Sequence, residues 1–201
     1  MSRWRATPRQ LAVLLAGLCL FGAGEGLLVD SELGNSPWTV LSEGVTEQTG
    51  VDIGTTTVAI SFLVLAMWIP LRERPGLGTI LNAVVVGTAL GVTVALVPDA
   101  GSLPLRGAEV AGGIAIVAIG SGFYLTTRLG AGPRDGLMLG LHRRTGLSVR
   151  LVRTTIESAA VIAGFVLGGT VGIGTLAFAL GIGPAVQLAL GRMTSTPAHE
   201  L

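Results

Sequence analysis

Long apolar stretches dominate the pattern of hydrophobic and polar positions along this chain. Each is about 20 residues long, the length that an α-helix needs to cross the hydrocarbon core of a bilayer. There are six such stretches: about 11–29, 53–71, 78–97, 108–127, 149–168 and 173–191. The pattern therefore predicts an all-α, polytopic membrane protein with six transmembrane helices.

The second half of the chain repeats the first at a constant offset of 96 residues. Most matched residues are Gly, Pro or Thr, and Gly and Pro have backbone roles that other residues seldom replace, so the matches indicate an internal duplication. The matches include Gly17 and Gly113, Gly24 and Gly120, Pro37 and Pro133, Thr49-Gly50 and Thr145-Gly146, and Gly78-Thr79 and Gly174-Thr175. The predicted parts are a cytoplasmic arm (1–10), repeat 1 (11–97), an outer linker (98–106), repeat 2 (107–193) and a cytoplasmic tail (194–201).

Six spans would place nearly all of the arginines on the same side of the membrane. These arginines lie in the N-terminal arm, in the second-to-third and fourth-to-fifth connections and at the C-terminal end, and only Arg106 lies on the opposite side. The positive-inside rule therefore predicts that both termini are cytoplasmic. The segment from Asp30 to Asp52, which has five carboxylates and no basic residue, is then on the outside.

Three spans per repeat is an odd number, so the two repeats must enter the membrane in opposite directions. The prediction is a pair of 3+3 inverted repeats, related by a pseudo-two-fold axis in the membrane plane, as in several transporter folds.

Each repeat also carries a short helix between its first and second spans, over about 36–49 and 132–145. A Gly-x-x-Pro sequence opens each of them and a Thr-Gly pair closes it, with Gly suited to a left-handed C-cap. One interpretation is an amphipathic helix that lies flat in the interface, with Trp38 facing lipid. The other is a re-entrant helix, whose positive N-terminus points toward a central site.

Polar residues within or beside the spans are the candidates for solute binding. Glu25 lies between two glycines, and a carboxylate there is costly unless it faces a cavity, takes up a proton or reaches the hydrated interface. Arg153 and Glu157 are four residues apart and are expected to pair on one helix face. The complete set is Glu25, Asn35, Ser36, Thr79, Asn82, Gly132, Pro133, Arg134, Asp135, Arg153, Glu157 and Thr175. Tyr124 and Gln187 are weaker candidates.

Composition argues against several other functions. Half of the residues are hydrophobic and the net charge is only +1, so nucleic-acid binding is not expected. The chain has one Cys and two His, and their spacing does not match that of a metal site. The sequence also contains no recognisable phosphate loop or dinucleotide-binding motif. We therefore expect no metal, no cofactor and no enzymatic activity.

Two motifs resemble a known family. The first is Leu33-Gly-x-Ser-Pro-Trp followed by Thr49-Gly50, and the second is Gly130-x-Gly-Pro-Arg-Asp-Gly-Leu-Met138 followed by Arg143-x-Thr-Gly146 and Val152-Arg153-x-x-x-Glu157. Both are similar to those of the YczE/YyaS/YitT-type bacterial integral membrane proteins. The resemblance implies a location in the bacterial cytoplasmic (inner) membrane but no particular activity. It also strengthens Arg134, Asp135, Arg153 and Glu157 as candidate site residues, because they lie within the second motif.

Two functions remain open. The first is a small transporter or channel-like carrier for a small solute, with an anionic group favoured by the helix N-termini and with proton coupling or gating through Glu25 or the Arg153–Glu157 pair. The alternative is a non-transporting scaffold or regulatory partner of another membrane complex, acting through the Arg-rich stretch 128–153. Expected partners are the lipid bilayer and a small-molecule solute, and a homodimer or a membrane protein partner also stays open.

Overall fold

The computed structural model describes residues 3–98 and 100–194, and within these residues every regular element is a helix. The prediction of an all-α fold is therefore confirmed. In chain order the helices are α1 (Pro8–Asp30), α2 (Pro37–Thr49), α3 (Ile53–Ala66), α4 (Trp68–Leu71), α5 (Leu77–Leu96), α6 (Leu103–Thr126), α7 (Pro133–Thr145), α8 (Val149–Val166) and α9 (Ile173–Thr194). The predicted tail, 194–201, lies outside the described residues apart from the backbone of Thr194.

Five helical segments of the described chain are long and apolar enough to cross a membrane. They are Pro8–Asp30, Ile53–Leu71 (which comprises α3 and α4), Leu77–Leu96, Leu103–Thr126 and Ile173–Met193, and they correspond to five of the six predicted spans. The exception is α8, an 18-residue helix that contains Arg150, Arg153 and Glu157.

Two helices begin earlier than their predicted spans because of their N-terminal residues. At the start of α1, Thr7 Oγ1 accepts a hydrogen bond from Gln10 N at 3.2 Å and Gln10 Oε1 accepts one from Thr7 N at 3.0 Å. This reciprocal capping box fixes the first turn within the predicted arm. Helix α6 begins at Leu103, inside the predicted linker, with Pro104 in its first turn.

The backbone repeats at the same offset as the sequence. Helices α2, α3 and α5 begin 96 residues before α7, α8 and α9 respectively. All described residues with positive φ also fall into four equivalent pairs: Glu32 (53°) and Arg128 (55°), Gly34 (111°) and Gly130 (135°), Gly50 (71°) and Gly146 (73°), and Arg72 (58°) and Gly168 (104°). The expected left-handed C-caps of the two short helices are Gly50 and Gly146.

Helices α1 and α6 form the central contact of the bundle. A Cβ added to Gly24 would lie 2.6 Å from the carbonyl oxygen of Gly113, and one added to Gly17 would lie 2.8 Å from that of Gly120. The helices therefore touch backbone to backbone, which only glycine permits. Because the higher-numbered residue of α1 meets the lower-numbered residue of α6, these equivalent helices are antiparallel.

Contacts between the two halves are exchanged reciprocally. Gly78 N donates to Leu129 O at 3.0 Å, and at the equivalent positions Gly174 N donates to Leu33 O at 2.8 Å. Likewise, α2 of the first half packs on α8 of the second, while α7 of the second packs on α3 and α4 of the first. Reciprocity of this kind is what a two-fold relation between two similar units produces.

Many of the buried apolar side chains in the described part of the chain belong to three clusters, two beside the central pair and one farther out. One lies between α1, α6 and α9 and includes Leu28, Val117 and Phe178. A second lies between α1, α5 and α6, and the third joins α3, α4 and α7 around Trp68 and Leu137. The short helices are thus held against the outer layer of the bundle.

The glycine contact between α1 and α6 can be tested with Gly24→Ala. We expect this substitution to lower the free energy of unfolding by about 1–3 kcal/mol, because the added methyl group overlaps the backbone of α6. The measurement is the midpoint of thermal or denaturant unfolding of the purified protein in detergent. The control is Gly112→Ala on α6, where an added Cβ meets nothing within 4 Å. Equal loss of stability in both variants would contradict the proposed role of the contact.

Candidate functional site

A cavity of about 490 Å³ lies where the two halves meet. The N-termini of both short helices border it, since Ser36, Pro37 and Trp38 of the α2 end and Gly132, Arg134 and Asp135 of the α7 end are among its lining residues. The other polar side chains of its lining are Glu25, Ser61, Asn82, Ser121, Tyr124, Arg153, Glu157 and Gln187. The cavity is thus polar at the level where the short helices begin.

Equivalent residues of the two repeats line the cavity. Seven pairs of its lining residues are equivalent at the 96-residue offset: Phe21 and Val117, Glu25 and Ser121, Ser36 and Gly132, Trp38 and Arg134, Ser61 and Glu157, Asn82 and Phe178, and Val86 and Ile182. No ionisable residue of these pairs has an ionisable equivalent. Equivalent positions of the two repeats therefore line the cavity, and the substitutions that distinguish the repeats at these positions place its charges.

Glu25 forms the buried end of the cavity, with only 1% of its surface exposed. Its Oε2 accepts hydrogen bonds from Ser36 Oγ and Thr39 Oγ1, both at 2.6 Å. Its Oε1 is also buried and has no hydrogen-bond partner among the described residues. One carboxylate oxygen is therefore fixed by the start of α2, and the other is left for a ligand or a proton.

Ser36 has the extended backbone of an N-cap residue but does not cap α2 with its side chain. Its hydroxyl instead donates to Glu25, which lies on another helix. The carboxylate of Glu25 consequently lies at the positive end of the α2 dipole, which favours negative charge there. Ser36, a predicted solute-binding residue, lines the cavity.

Arg134 and Trp38 stand at equivalent positions of the two repeats and face each other. The guanidinium carbon of Arg134 lies 5.3 Å from the ring centroid of Trp38, within the range of a cation–π interaction. The adjacent carboxylate, that of Asp135, instead accepts a hydrogen bond from Tyr124 Oη at 2.6 Å. Arg134 is therefore oriented by an aromatic ring and keeps guanidinium N–H groups for an anionic ligand.

The predicted pair of Arg153 and Glu157 is present. Arg153 Nε donates to Glu157 Oε1 at 2.8 Å, and the two side chains are 49% and 31% exposed. Since Glu25 is almost fully buried, the cavity runs from Glu25 in the interior to this ion pair near the surface of α8.

Four predicted site residues do not line the cavity. The hydroxyls of Thr79 and Thr175 accept hydrogen bonds from Gly76 N and Gly172 N, and so stabilise the starts of α5 and α9. Pro133 O accepts a hydrogen bond from Trp68 Nε1 at 2.9 Å. Asn35 Nδ2 donates to Glu43 Oε2 at 2.7 Å.

The contact of Asn35 belongs to a polar connection between the halves. Glu43 also accepts hydrogen bonds from Thr170 N at 2.6 Å and Thr170 Oγ1 at 2.9 Å. These bonds tie α2 to the turn between α8 and α9. The four residues thus hold helix starts and turns in place, and none of them is exposed to the cavity.

Five cavity residues with polar side-chain atoms are outside the predicted set. Trp38 is expected to face lipid in one interpretation, Tyr124 and Gln187 are only weaker candidates, and Ser61 and Ser121 are not candidates. The repeat identifies three of the five, because Trp38, Ser61 and Ser121 are equivalent to the candidates Arg134, Glu157 and Glu25.

No group of three or more His, Cys, Asp or Glu side chains is arranged to hold a metal ion in the part of the chain that the structure describes.

These features define an α-helical membrane protein whose polar cavity lies between two related halves. The chain belongs to the family of unknown function DUF6198, whose model matches residues 8–190. It is 43% identical over 196 residues to an uncharacterised protein of Haemophilus influenzae, covering 98% of this chain and 90% of that protein. The match to the uncharacterised membrane protein YczE of Bacillus subtilis is 28% over 177 residues, covering 87% and 82%.

The uncharacterised protein YyaS of Bacillus subtilis is also similar, at 28% identity over 164 residues that cover 80% of this chain and 82% of that protein. The predicted resemblance to YczE and YyaS is therefore confirmed. No solved structure matches the chain.

The hydrogen bonds to Glu25 can be tested with Thr39→Val. We expect a loss of about 1.5–3 kcal/mol in the free energy of unfolding, because a donor to a buried carboxylate is removed without a change of shape. The matched control is Thr57→Val, since Thr57 is also buried but its hydroxyl has no partner among the described residues. Chemical denaturation in detergent measures both variants. If Thr57→Val is the more damaging substitution, the hydrogen bonds to Glu25 are not stabilising.

Proposed function

We propose that this protein is a small secondary carrier that moves a small anionic solute together with a proton across the bacterial cytoplasmic membrane. The observation that carries the proposal is the polar cavity between the halves, lined by equivalent pairs of residues whose charges have diverged. Solute sites at the interface between structural repeats are a general feature of secondary transporters.

The transmembrane arrangement that we propose is a 3+3 inverted repeat. Support comes from the antiparallel contact of α1 and α6, because equivalent helices that cross a membrane in opposite directions require inverted repeats. In this arrangement α8 is the fifth of six spans. Its residues Arg153 and Glu157 line the cavity while Ile162, Phe165 and Val166 are 63–76% exposed, so these two charges face the cavity and these three apolar side chains face lipid.

We further propose that α2 and α7 are re-entrant. Thr46 Oγ1 donates to Thr56 Oγ1 at 3.1 Å, near the start of α3, whereas Trp38 and Ser61 line the same cavity. Since Ser61 is close to the middle of the segment Ile53–Leu71, α2 runs from the middle of that segment back to its first turn. Burial follows the same direction, with Ser36 only 2% exposed and the end of α2 exposed.

The solute class follows from the charges around the two helix starts. The N-termini of α2 and α7 carry positive partial charge, and Arg134 adds a full positive charge beside them. The carboxylate of Asp135, in the first turn of α7, already accepts the hydroxyl of Tyr124. An anionic group fits this end of the cavity. Glu25 would repel it, so we propose that Glu25 is protonated when the anion is bound and that the two charges cross the membrane together.

The proposed topology predicts that the ends of the short helices face opposite compartments. Thr49 and Thr145 are equivalent, exposed positions, and Cys19 is the only native cysteine. In a Cys19→Ala background, we expect Thr49→Cys to react with a membrane-impermeant maleimide from outside intact cells. We expect Thr145→Cys to react only after the cytoplasmic side is made accessible.

Labelling of both positions from the same compartment would contradict the inverted arrangement. The Cys19→Ala protein without added cysteine gives the background, and labelling after detergent solubilisation shows that both cysteines are reactive.

The coupling role of Glu25 can be tested in proteoliposomes that contain the pH-sensitive dye pyranine. The probe anions are chloride, nitrate, inorganic phosphate and glutamate, added one at a time under an inward proton gradient. We expect at least one of them to accelerate acidification of the lumen. Glu25→Gln should abolish the anion-stimulated acidification because the amide cannot exchange a proton. Arg134→Gln should reduce the rate of this acidification at least about tenfold by removing a charged contact with the anion.

The matched control is Glu47→Gln, which removes an exposed carboxylate outside the cavity and should behave as the unsubstituted protein. Unaltered proton movement in Glu25→Gln would refute the coupling role. The absence of flux with any probe anion, in protein that is folded by its melting profile, would favour the alternative function as a scaffold or regulator.

A further inference from the structure

A second cavity, of about 700 Å³, lies apart from the central one at the ends of the helices. The charged residues of its lining are five arginines and one glutamate: Arg3, Arg72, Arg74, Arg143, Arg144 and Glu73. Such an excess of positive charge around one concave surface favours an anionic ligand with several acceptor oxygens.

Contacts with the protein orient three of these arginines. Arg3 Nη1 donates to Arg74 O at 3.4 Å, and Arg144 Nη1 donates to Pro70 O. Arg143 Nε donates to Glu73 Oε1 at 3.1 Å, and this hydrogen bond raises the pKa of Arg143. A guanidinium group has five N–H donors, so each arginine that is held by one or two bonds retains donors for a ligand.

The equivalent place in the other repeat shows that the fold does not require these arginines. Positions 72–74 are equivalent to Gly168, Gly169 and Thr170, and positions 143–144 are equivalent to Glu47 and Gln48. Gln48 Nε2 donates to Leu167 O at 2.8 Å, so a neutral amide makes a contact similar to that of Arg144 with Pro70 O, displaced by one residue along the chain. The positive charges are therefore additional to what the fold needs.

The cavity lies at the expected edge of the hydrocarbon layer. Residues 72–74 directly follow the apolar segment Ile53–Leu71 and shortly precede Leu77–Leu96. Ile69, one turn before the arginines, is 78% exposed, as expected for a side chain in contact with lipid. A molecule with an anionic head and an apolar tail can therefore place both parts on this surface.

We propose that this cavity binds the phosphate headgroup of an anionic phospholipid. The phosphate accepts hydrogen bonds from the guanidinium groups, and the acyl chains lie along the exposed apolar surface next to Ile69. Arginine suits this role because its planar donors match phosphate oxygens, and basic pockets at helix ends are typical headgroup sites. The same phosphate chemistry occurs in soluble phosphate esters, which the experiment separates from the lipid.

The test uses the purified, delipidated full-length protein in a non-ionic detergent, with lipid binding measured by native mass spectrometry. The probes are phosphatidylglycerol, zwitterionic phosphatidylcholine and soluble glycerol 3-phosphate. We expect the Kd for phosphatidylglycerol to be at least about tenfold below that for phosphatidylcholine. Arg72→Gln combined with Arg74→Gln should raise the Kd for phosphatidylglycerol about tenfold or more.

The matched control, Arg5→Gln with Arg9→Gln, also removes two positive charges, but from N-terminal residues that do not line the cavity. An equal loss of phosphatidylglycerol binding in this control would overturn the proposal, since general surface charge would then explain it. Equal affinity for the two lipids would also overturn it. Glycerol 3-phosphate binding as tight as that of phosphatidylglycerol would overturn the assignment to lipid. If the double variant does not give a single cooperative melting transition, Arg74→Gln alone replaces it.

Discussion

The close antiparallel approach of α1 and α6 constrains the rest of the molecule. Glycine at the contact allows the two backbones to touch, and each helix occupies the same place in its own repeat. In lipid, where apolar side chains gain little by leaving the solvent, such close packing is a main source of helix association. Once this pair is fixed, α5 and α9 pack on its two sides, and the N-termini of both short helices border the same cavity.

Divergence at equivalent positions gives the cavity its chemistry. Where one repeat has Trp38 the other has Arg134, and the two side chains interact directly across the boundary between the halves. Glu25 is equivalent to Ser121, so the buried carboxylate occurs once rather than twice, which avoids two like charges in one small cavity. The second, arginine-lined cavity follows the same rule, because none of the residues equivalent to Arg72, Arg74, Arg143 and Arg144 is an arginine.

Much of the helical architecture could be predicted because its signals are local. Apolar length predicted the five helical segments that qualify as spans, and Gly-x-x-Pro and Thr-Gly predicted the limits of α2 and α7. Local patterns were less informative for α8, whose charged residues lower its hydropathy although two of them, Arg153 and Glu157, line the cavity. They also misplaced Asn35, Thr79, Pro133 and Thr175, since a polar residue at a helix start serves the backbone as readily as a ligand.

The sequence by itself determined the helices, the duplication and the family, because apolar length and the backbone roles of Gly and Pro are written in local patterns. Tertiary structure decided which polar groups meet. Glu25 accepts hydrogen bonds from two hydroxyls, Arg134 lies over an aromatic ring and Asp135 accepts a hydrogen bond from a phenol, and each partner group belongs to another helix. The distances between these groups depend on how closely α1 and α6 approach. Packing between helices sets those distances to within a few tenths of an ångström, and no pattern along one helix contains that information.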